Sequence, residues 1–293
     1  MRIGLGLPVV TAFPPTTQAW ERGAGITEVA AVAQVADSLG FDYLTCSEHV
    51  AVPSDVATVR GGTYWDPLAT FGYLAAVTHQ IRFATSVVVL GYHHPLAIAK
   101  RYGTLDQVSG GRLILGVGVG SLKEEFDLIG AEFDDRGKRA DDALEAIRSA
   151  FSTGTPSHDG PFYSYSGVTV EPHAQQATVP VWVGGRSKRA LRRAIELGDG
   201  FNPFALPATE VKTMLAGVEV PHGFDVILAT APLDPLGNPD RVRRQLDELR
   251  DGGATRITAA INATSVDHYA DQLVELQSIA RAHGAQFTPP ENA

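Results

Sequence analysis

Apolar residues along this chain follow two alternating rhythms, short unbroken runs and longer stretches spaced by three and four positions. The region from Arg82 to Ser121 holds one full cycle. Ala84–Leu90 and Leu113–Val117 are apolar runs without polar alternation, which suits strands buried on both faces. Between them, Pro95 opens a helical segment that Ser109-Gly110-Gly111 closes, the crossover that two parallel strands require. The cycle extends in both directions. Ile3–Leu7 is the first run and stops at Pro8. Thr27 reads as the cap of a helix to Ser38, with Val29, Val32, Ala33 and Ala36 on one face and Gly40 as its stop. Tyr43–Cys46 is the second strand, after which Asp66-Pro67, an N-cap and a first-turn proline, starts a helix toward Thr78. Beyond the central cycle come a short helix at Leu122–Ile129 and a longer one over Lys138–Phe151. Phe162–Val170 has the period of two of an exposed hairpin. Val181–Val183, Gly200–Phe201, Phe224–Leu228 and Ile257–Ile261 are four more strands, followed in turn by helices at Ser187–Leu197, Ala208–Ala216, Pro239–Arg250 and Val266–His283. Two long loops, Thr11–Gly25 and Val50–Trp65, interrupt the rhythm, and the tail Phe287–Ala293 reads as frayed.

Eight strands, each followed by a helix and without a low-complexity linker, predict one α/β domain over 1–293, a (β/α)8 TIM barrel with a small hairpin insertion before strand five. A doubly wound open sheet is the alternative. It would place a glycine-rich turn after strand one, where Gly6-Leu7-Pro8 leads instead into a proline-rich loop. Composition adds boundaries. Of the 293 residues, 44% are hydrophobic and 19% charged, the proportions of a globular chain with a sizeable core. The net charge of -9 argues against a general nucleic-acid or anionic-membrane surface, since both need a basic face. Cys46 is the single cysteine, which excludes an intrachain disulfide and fits a reducing, cytoplasmic setting. The opening MRIGLGLPVV lacks the pattern of an export leader, and no apolar run approaches the ~18 residues of a membrane span.

In such a barrel chemistry gathers where strands end. The candidates are Ser47, Glu48 and His49 after strand two, Ser86–Gly91 at strand three, and Gly118, Gly120 and Ser121 after strand four. Gly184, Gly185 and Arg186 follow strand five, with Asn202 and Asn262 after strands six and eight. No metal site is expected: His93 and His94 are adjacent, so their side chains diverge, and no further ligand stands at helical spacing beside them. The chain has no Gly-x-Ser-x-Gly elbow, and Cys46 reads as a small buried hydrophobe. The turn Val-Gly-Gly-Arg-Ser-Lys-Arg at 183–189 has the makings of a phosphate cradle, with bare backbone amides, a helix N-terminus and a forked guanidinium. The alternative is a solvated basic helix face of Arg186, Lys188, Arg189, Arg192 and Arg193. Five cations in eight positions of an acidic chain favour an anionic ligand.

The segments SEHV at 47–50, HPLAIAKRYGTLDQVSGGRLILGVGVG at 94–120, LKEEFDLIG at 122–130, FDDRGKRADDALEAI at 133–147 and VPVWVGGRSKRALRRAIELGDGF at 179–201 resemble the bacterial luciferase-like flavin and deazaflavin oxidoreductases. Within that family the chain most resembles the actinobacterial branch using coenzyme F-420; the branch using FMN shares most of these motifs. The resemblance implies a cofactor ring across the barrel mouth, against a cis Ser86-Val87 peptide, near Glu48 and His49. Backbone at Gly118, Val119 and Gly120 would contact the ring, and Gly184, Gly185 and Arg186 would take its phosphate. It also implies a homodimer through barrel helices. Other readings of single residues stand beside these: Glu48 as a buried carboxylate paired to a barrel arginine, His49 as a satisfied structural histidine, His94 as a helix-opening residue, and Arg112 as a stabilising residue at the far end of the barrel.

Two departures affect what the resemblance implies for the substrate. Deazaflavin reductases of this kind often carry Trp, and a sugar-phosphate dehydrogenase Glu, where Ser121 stands. The segment Ala229–Asn238 is short where relatives have an insertion, which leaves Thr11–Gly25 and Val50–Trp65 to shape the substrate side, with Trp20, Tyr64 and Trp65 as apolar walls or packed on one another. The expected activity is hydride transfer between reduced F-420 and a small organic acceptor, an activated alkene or carbonyl. An FMN-dependent monooxygenase is the alternative, and a non-catalytic cofactor carrier is a reading of another class. Histidine is the residue type that changes charge near neutral pH, so His49 is the expected proton donor, with Glu48 supporting the ring neighbourhood. Poor activity on sugar phosphates is expected from Ser121, which cannot replace a carboxylic acid.

Overall fold

Eight parallel strand positions close into a ring in a computed structural model that describes residues 1–14 and 16–289. The strands are β1 (Arg2–Gly6), β2 (Tyr43–Cys46), β3 (Arg82–Thr85) continued by β4 (Val88–Val89), β5 (Leu113–Gly118), β8 (Val181–Gly185), β9 (Gly200–Pro203), β10 (Asp225–Ala229) and β11 (Arg256–Ala259). Closure is made by β1 on β11, with Ile3 opposite Ile257. The helices are α1 (Ile26–Ser38), α2 (Ser54–Arg60), α3 (Pro67–Ala75), α4 (Pro95–Ser109), α5 (Lys123–Ile129), α6 (Arg136–Ser152), α7 (Lys188–Leu197), α8 (Ala208–Leu215), α9 (Pro239–Asp251) and α10 (Val266–Ala282). This is the expected (β/α)8 barrel.

Local chemistry explains where the helices begin. Asp66 and Asn238 each accept the backbone N–H three residues on, and a proline fills the first helical position after both. His94 opens α4 in the same way, its ring accepting from Leu96 N–H at 3.2 Å. The start of α1 differs from expectation. Gly25 precedes it and Glu28 reaches back to the Gly25 N–H at 2.7 Å, so Thr27 lies inside the first turn.

The lumen is packed by Tyr43, Ala84, Ile114, Trp182 and Ile227, with the Tyr43 and Trp182 rings edge to face at 5.0 Å. Gly4 makes that possible, because a Cβ there would lie 2.5 Å from the Tyr43 ring. The larger apolar shell fills the space between strands and helices.

Four boundaries move. Each long loop contains helix: a 3-10 turn at Ala19–Gly23 in the first and α2 in the second. The insertion before strand five is a hairpin, but its arms are β6 (His158–Asp159) and β7 (Ser164–Tyr165). They are held by the buried Asp142, which accepts from His158 Nε2, Phe162 N–H and Tyr163 N–H; the alternation over Phe162–Val170 does not continue as a strand. The run Ala84–Leu90 breaks at Ser86-Val87, whose peptide bond is cis. The tail is pinned as far as Thr288, with Phe287 edge to face on Phe41 and Thr288 N–H donating to Gly40 O at 2.9 Å. Pro15, in the first loop, and residues 290–293, in the tail, lie outside the described residues.

Candidate functional site

A cavity of about 770 Å³ opens at the ends of the barrel strands. Glu48, His49, Ser86, Val87, Gly118, Val119, Gly120, Gly184, Gly185 and Arg186, the residues singled out in the sequence, all line it, as do Ser47, Ser121 and Asn202. Asn262 is not among its lining residues; its carbonyl accepts from Gln272.

Beside the cis bond, Val87 is wedged between two strand ends. A Cβ on Gly118 would lie 2.7 Å from one Val87 methyl, and a Cβ on Gly184 2.9 Å from the other and 3.2 Å from Val117 O. Any side chain at either position would displace this wedge. Gly118, Gly120, Gly184 and Gly185 therefore line one side of the cavity without side chains of their own, with Val87 packed over the α-carbons of Gly118 and Gly184. Ser47 Oγ donates to Ser86 O at 2.8 Å, and Asn202 reaches Ser86 Oγ at 3.4 Å, which ties the bulge to the end of the neighbouring β2 and to β9 across the ring.

The basic turn divides by position. Ser187 caps α7 by accepting from Ala190 N–H, so the positive end of the helix opens on the cavity. Arg186, Arg189 and Arg193 line the cavity, whereas Lys188 and Arg192 do not and are exposed. Arg193 is buried, ion-paired with Asp141 and donating to Gly137 O at 2.9 Å. Arg136 and Lys138, from the start of α6, complete the basic end; the sequence signal for them was present in FDDRGKR, but only packing brings it across to α7. An anionic group with a planar ring fits this arrangement of bare backbone, helix N-terminus and guanidinium groups.

The carboxylates at the mouth are tightly engaged. Glu48 is buried, with one oxygen accepting from Val89 N–H at 2.8 Å and the other 2.7 Å from His93 Nε2. Its partner is thus a histidine and a backbone amide, not a barrel arginine. Arg112 instead sits at the opposite end, donating to Ser109 O, Thr78 Oγ1, Ile81 O and Ala75 O.

His49 Nδ1 lies 2.7 Å from Glu125 Oε2, a contact across 76 positions that no local sequence pattern signals. The Glu125 side chain is fully buried and also accepts from Tyr92 Oη at 2.7 Å, Val50 N–H at 2.6 Å and Ala51 N–H at 3.1 Å. Burial disfavours its ionised form, but the donations from Tyr92, His49 and Ala51 outweigh that and hold its pKa below the ordinary glutamate value. The Tyr92 hydroxyl is pushed well up by burial and by its bond to this carboxylate. A carboxylate only accepts, so Nδ1 carries hydrogen and Nε2 is left for the cavity; Nε2 has no protein partner among the described residues. The Tyr64 ring packs on the imidazole, centroids 4.4 Å apart. Trp20 and Trp65 do not join that wall: both pack on the main core, Trp20 edge to face with Tyr269.

Burial pushes the Cys46 thiol up to about 12, which leaves it an inert core residue. Among the described residues, no group of three or more His, Cys, Asp or Glu is placed to hold a metal ion. Likewise, no helix among them is long and apolar enough to cross a membrane.

Known proteins share this fold. An uncharacterized protein of Mycobacterium tuberculosis is 29% identical over 235 residues, 75% of this chain and 83% of its own length. The crystal structure of a monooxygenase from Streptomyces bottropensis superposes with a TM-score of 0.80 at 23% identity, covering 97% of this chain and 100% of that one. The coenzyme F-420 dependent tetrahydromethanopterin reductase from Methanopyrus kandleri superposes at 0.71 with 16% identity, covering 96% and 98%. At these identities the two superpositions establish the fold. The family model described as luciferase-like monooxygenase matches residues 1–286. With nearly the whole chain matched, this protein belongs to the luciferase-like monooxygenase family and is an enzyme of that family.

Proposed function

We propose that this enzyme transfers hydride between reduced coenzyme F-420 and a small organic acceptor, an activated alkene or carbonyl, with His49 as the proton donor. The observation that carries the reading is the His49–Glu125 pair. It presents an oriented imidazole nitrogen to a cavity whose other end is built for an anion. Gly118, Val119, Gly120, Gly184 and Gly185 would border the cofactor ring, and a bound reduced deazaflavin would supply the hydride.

The chain's own residues supply the rest. Gly184, Gly185 and Arg186 hold the cofactor phosphate, and Arg136, Lys138 and Arg189 favour a cofactor with anionic groups beyond one phosphate. Glu125 fixes the imidazole tautomer and stabilises its charged form, so that Nε2–H donates to the acceptor atom. Glu48 takes the supporting part, holding Val89 and His93 behind the bulge.

A second reading, an FMN-dependent monooxygenase, is favoured by the family description and by the Streptomyces neighbour. Titrating the purified apoprotein with F-420 and FMN separates the two. Micromolar F-420 binding with weaker FMN binding is expected; FMN binding without F-420 binding excludes the reductase. Hydride transfer from reduced F-420 to an enone or quinone then distinguishes an enzyme from a carrier.

A further inference from the structure

The cavity has a second, separate cation. Arg60, at the end of α2, lines it and has no carboxylate partner among the described residues. It stands with Thr11, Phe13 and Tyr64 on the loops after β1 and β2, whereas the phosphate turn follows β8. Arg60 is carried by the loop after strand two and Arg186 by the turn after strand five, three strand positions away around the eight-membered ring.

The wall around Arg60 is aromatic and built in advance. Tyr64 packs on His49 and donates its hydroxyl to Arg60 O at 2.9 Å. Phe13, a large apolar side chain, is 42% exposed at the cavity. The two loops are joined by Trp65 N–H to Val10 O at 2.9 Å, Ala12 N–H to Thr63 O at 3.1 Å and a bridge between Thr11 and Tyr64. Gly61 permits this contact, since a Cβ there would overlap Ala12 O. At the base, Val9 holds a left-handed φ of 72°, rare for a β-branched residue, with its N–H donating to Glu21 at 2.9 Å. Loops already joined lose little freedom on binding, so their contacts count almost fully toward affinity.

Resting on the reading of His49 as proton donor, we infer that the acceptor is an aromatic or conjugated ring compound carrying an anionic group. Its ring lies against Tyr64 and Phe13, its carboxylate or equivalent anion meets Arg60, and its reacting atom is at His49. The Tyr64 ring packs beside His49 and lines the same cavity, so it offers a molecule reacting at His49 an aromatic neighbour. A polyhydroxylated sugar would strip water from many hydroxyls against that wall without replacing their hydrogen bonds. Arg60 adds what an aromatic wall lacks, a charge that distinguishes acids from neutral rings of the same shape.

The test uses two unreactive probes, 2-naphthoate and 2-naphthamide, titrated calorimetrically into protein saturated with whichever cofactor it binds. If it binds neither, inorganic phosphate is added to fill the cradle. The naphthoate is expected to bind about tenfold tighter, the size of one charge-assisted hydrogen-bond pair. Arg60→Gln should abolish the difference while leaving the naphthamide within about twofold, and Phe13→Ala should weaken both by about fivefold. Equal affinities in the wild type, or a difference that survives Arg60→Gln, would overturn the inference. Selective naphthoate binding by a protein that takes neither cofactor would remove the reductase reading and with it the acceptor role, while supporting Arg60 and Phe13 as a site for aromatic acids.

Discussion

Buried carboxylates stand at both ends of the barrel, and their partners differ in kind. Where the strands begin, Asp42 meets Arg2 at 3.3 Å, Arg82 at 2.9 Å and Arg256, and Arg256 also lies 2.7 Å from Asp225. Arginine keeps its charge at any pH the fold survives, so this end is a fixed electrostatic clamp. Where the strands end, Glu48 and Glu125 are just as buried but face imidazoles, a tyrosine hydroxyl and backbone N–H groups. One end of the barrel thus holds its carboxylate with arginines alone; the other holds its carboxylates with imidazoles, and the proposed function has that end move a proton while keeping its geometry.

The largest expected effect tests the fixed end. Asp42→Asn leaves three guanidinium groups around a neutral amide and should cost about 3–5 kcal/mol in denaturant unfolding, with cofactor affinity unchanged. A loss under about 1 kcal/mol, the range of exposed pairs, would mean that the cluster is not a clamp.

Next comes the working end. His49→Ala should lower turnover ~10²-fold while cofactor affinity stays within a few-fold, the usual size of a general-acid contribution. Full turnover with an unchanged pH profile would assign the proton to another group.

The smallest effect, and the sharpest for the comparison, belongs to Glu125→Gln. The amide has one acceptor oxygen where two serve His49, Tyr92, Val50 and Ala51, and it no longer stabilises an imidazolium, so turnover should fall about tenfold. The folded carboxyl has a lowered pKa, so its stabilisation is complete above its ordinary value of 4.5 and is lost as pH falls through the lowered value. Thermal melts between pH 7 and 3 should therefore show a shallower acid decline in the variant than in the wild type. An identical decline would place the acid sensitivity elsewhere.

Much of the site was legible because it lies in short contiguous segments at strand ends. Ser47-Glu48-His49 and Gly184-Gly185-Arg186 each occupy one turn, so strand periodicity alone puts them at the mouth. What hid was every partner distant in sequence. Glu125 is one of two adjacent acids on the short α5, and only the fold makes it the residue that orients His49. Tyr64, offered together with Trp20 and Trp65, proved to be the one of the three that lines the cavity. The two long loops read as irregular because Pro and Gly punctuation obscured a 3-10 turn and the seven-residue α2, too short for periodicity to register.

The sequence by itself determined the alternation of strands and helices, and with it the barrel and the end of the barrel where chemistry gathers. Those follow from local rules: apolar period, caps, and prolines and glycines at helix ends. Only the tertiary structure decided which charges neutralise each other, that Glu48 pairs with His93 and Glu125 with His49, and that Arg60 and Arg186 line one cavity. The physical reason is range. A backbone preference is settled within a few residues, whereas a buried carboxylate takes whichever donors the closed ring brings within hydrogen-bond distance, and closure joins segments separated by most of the chain.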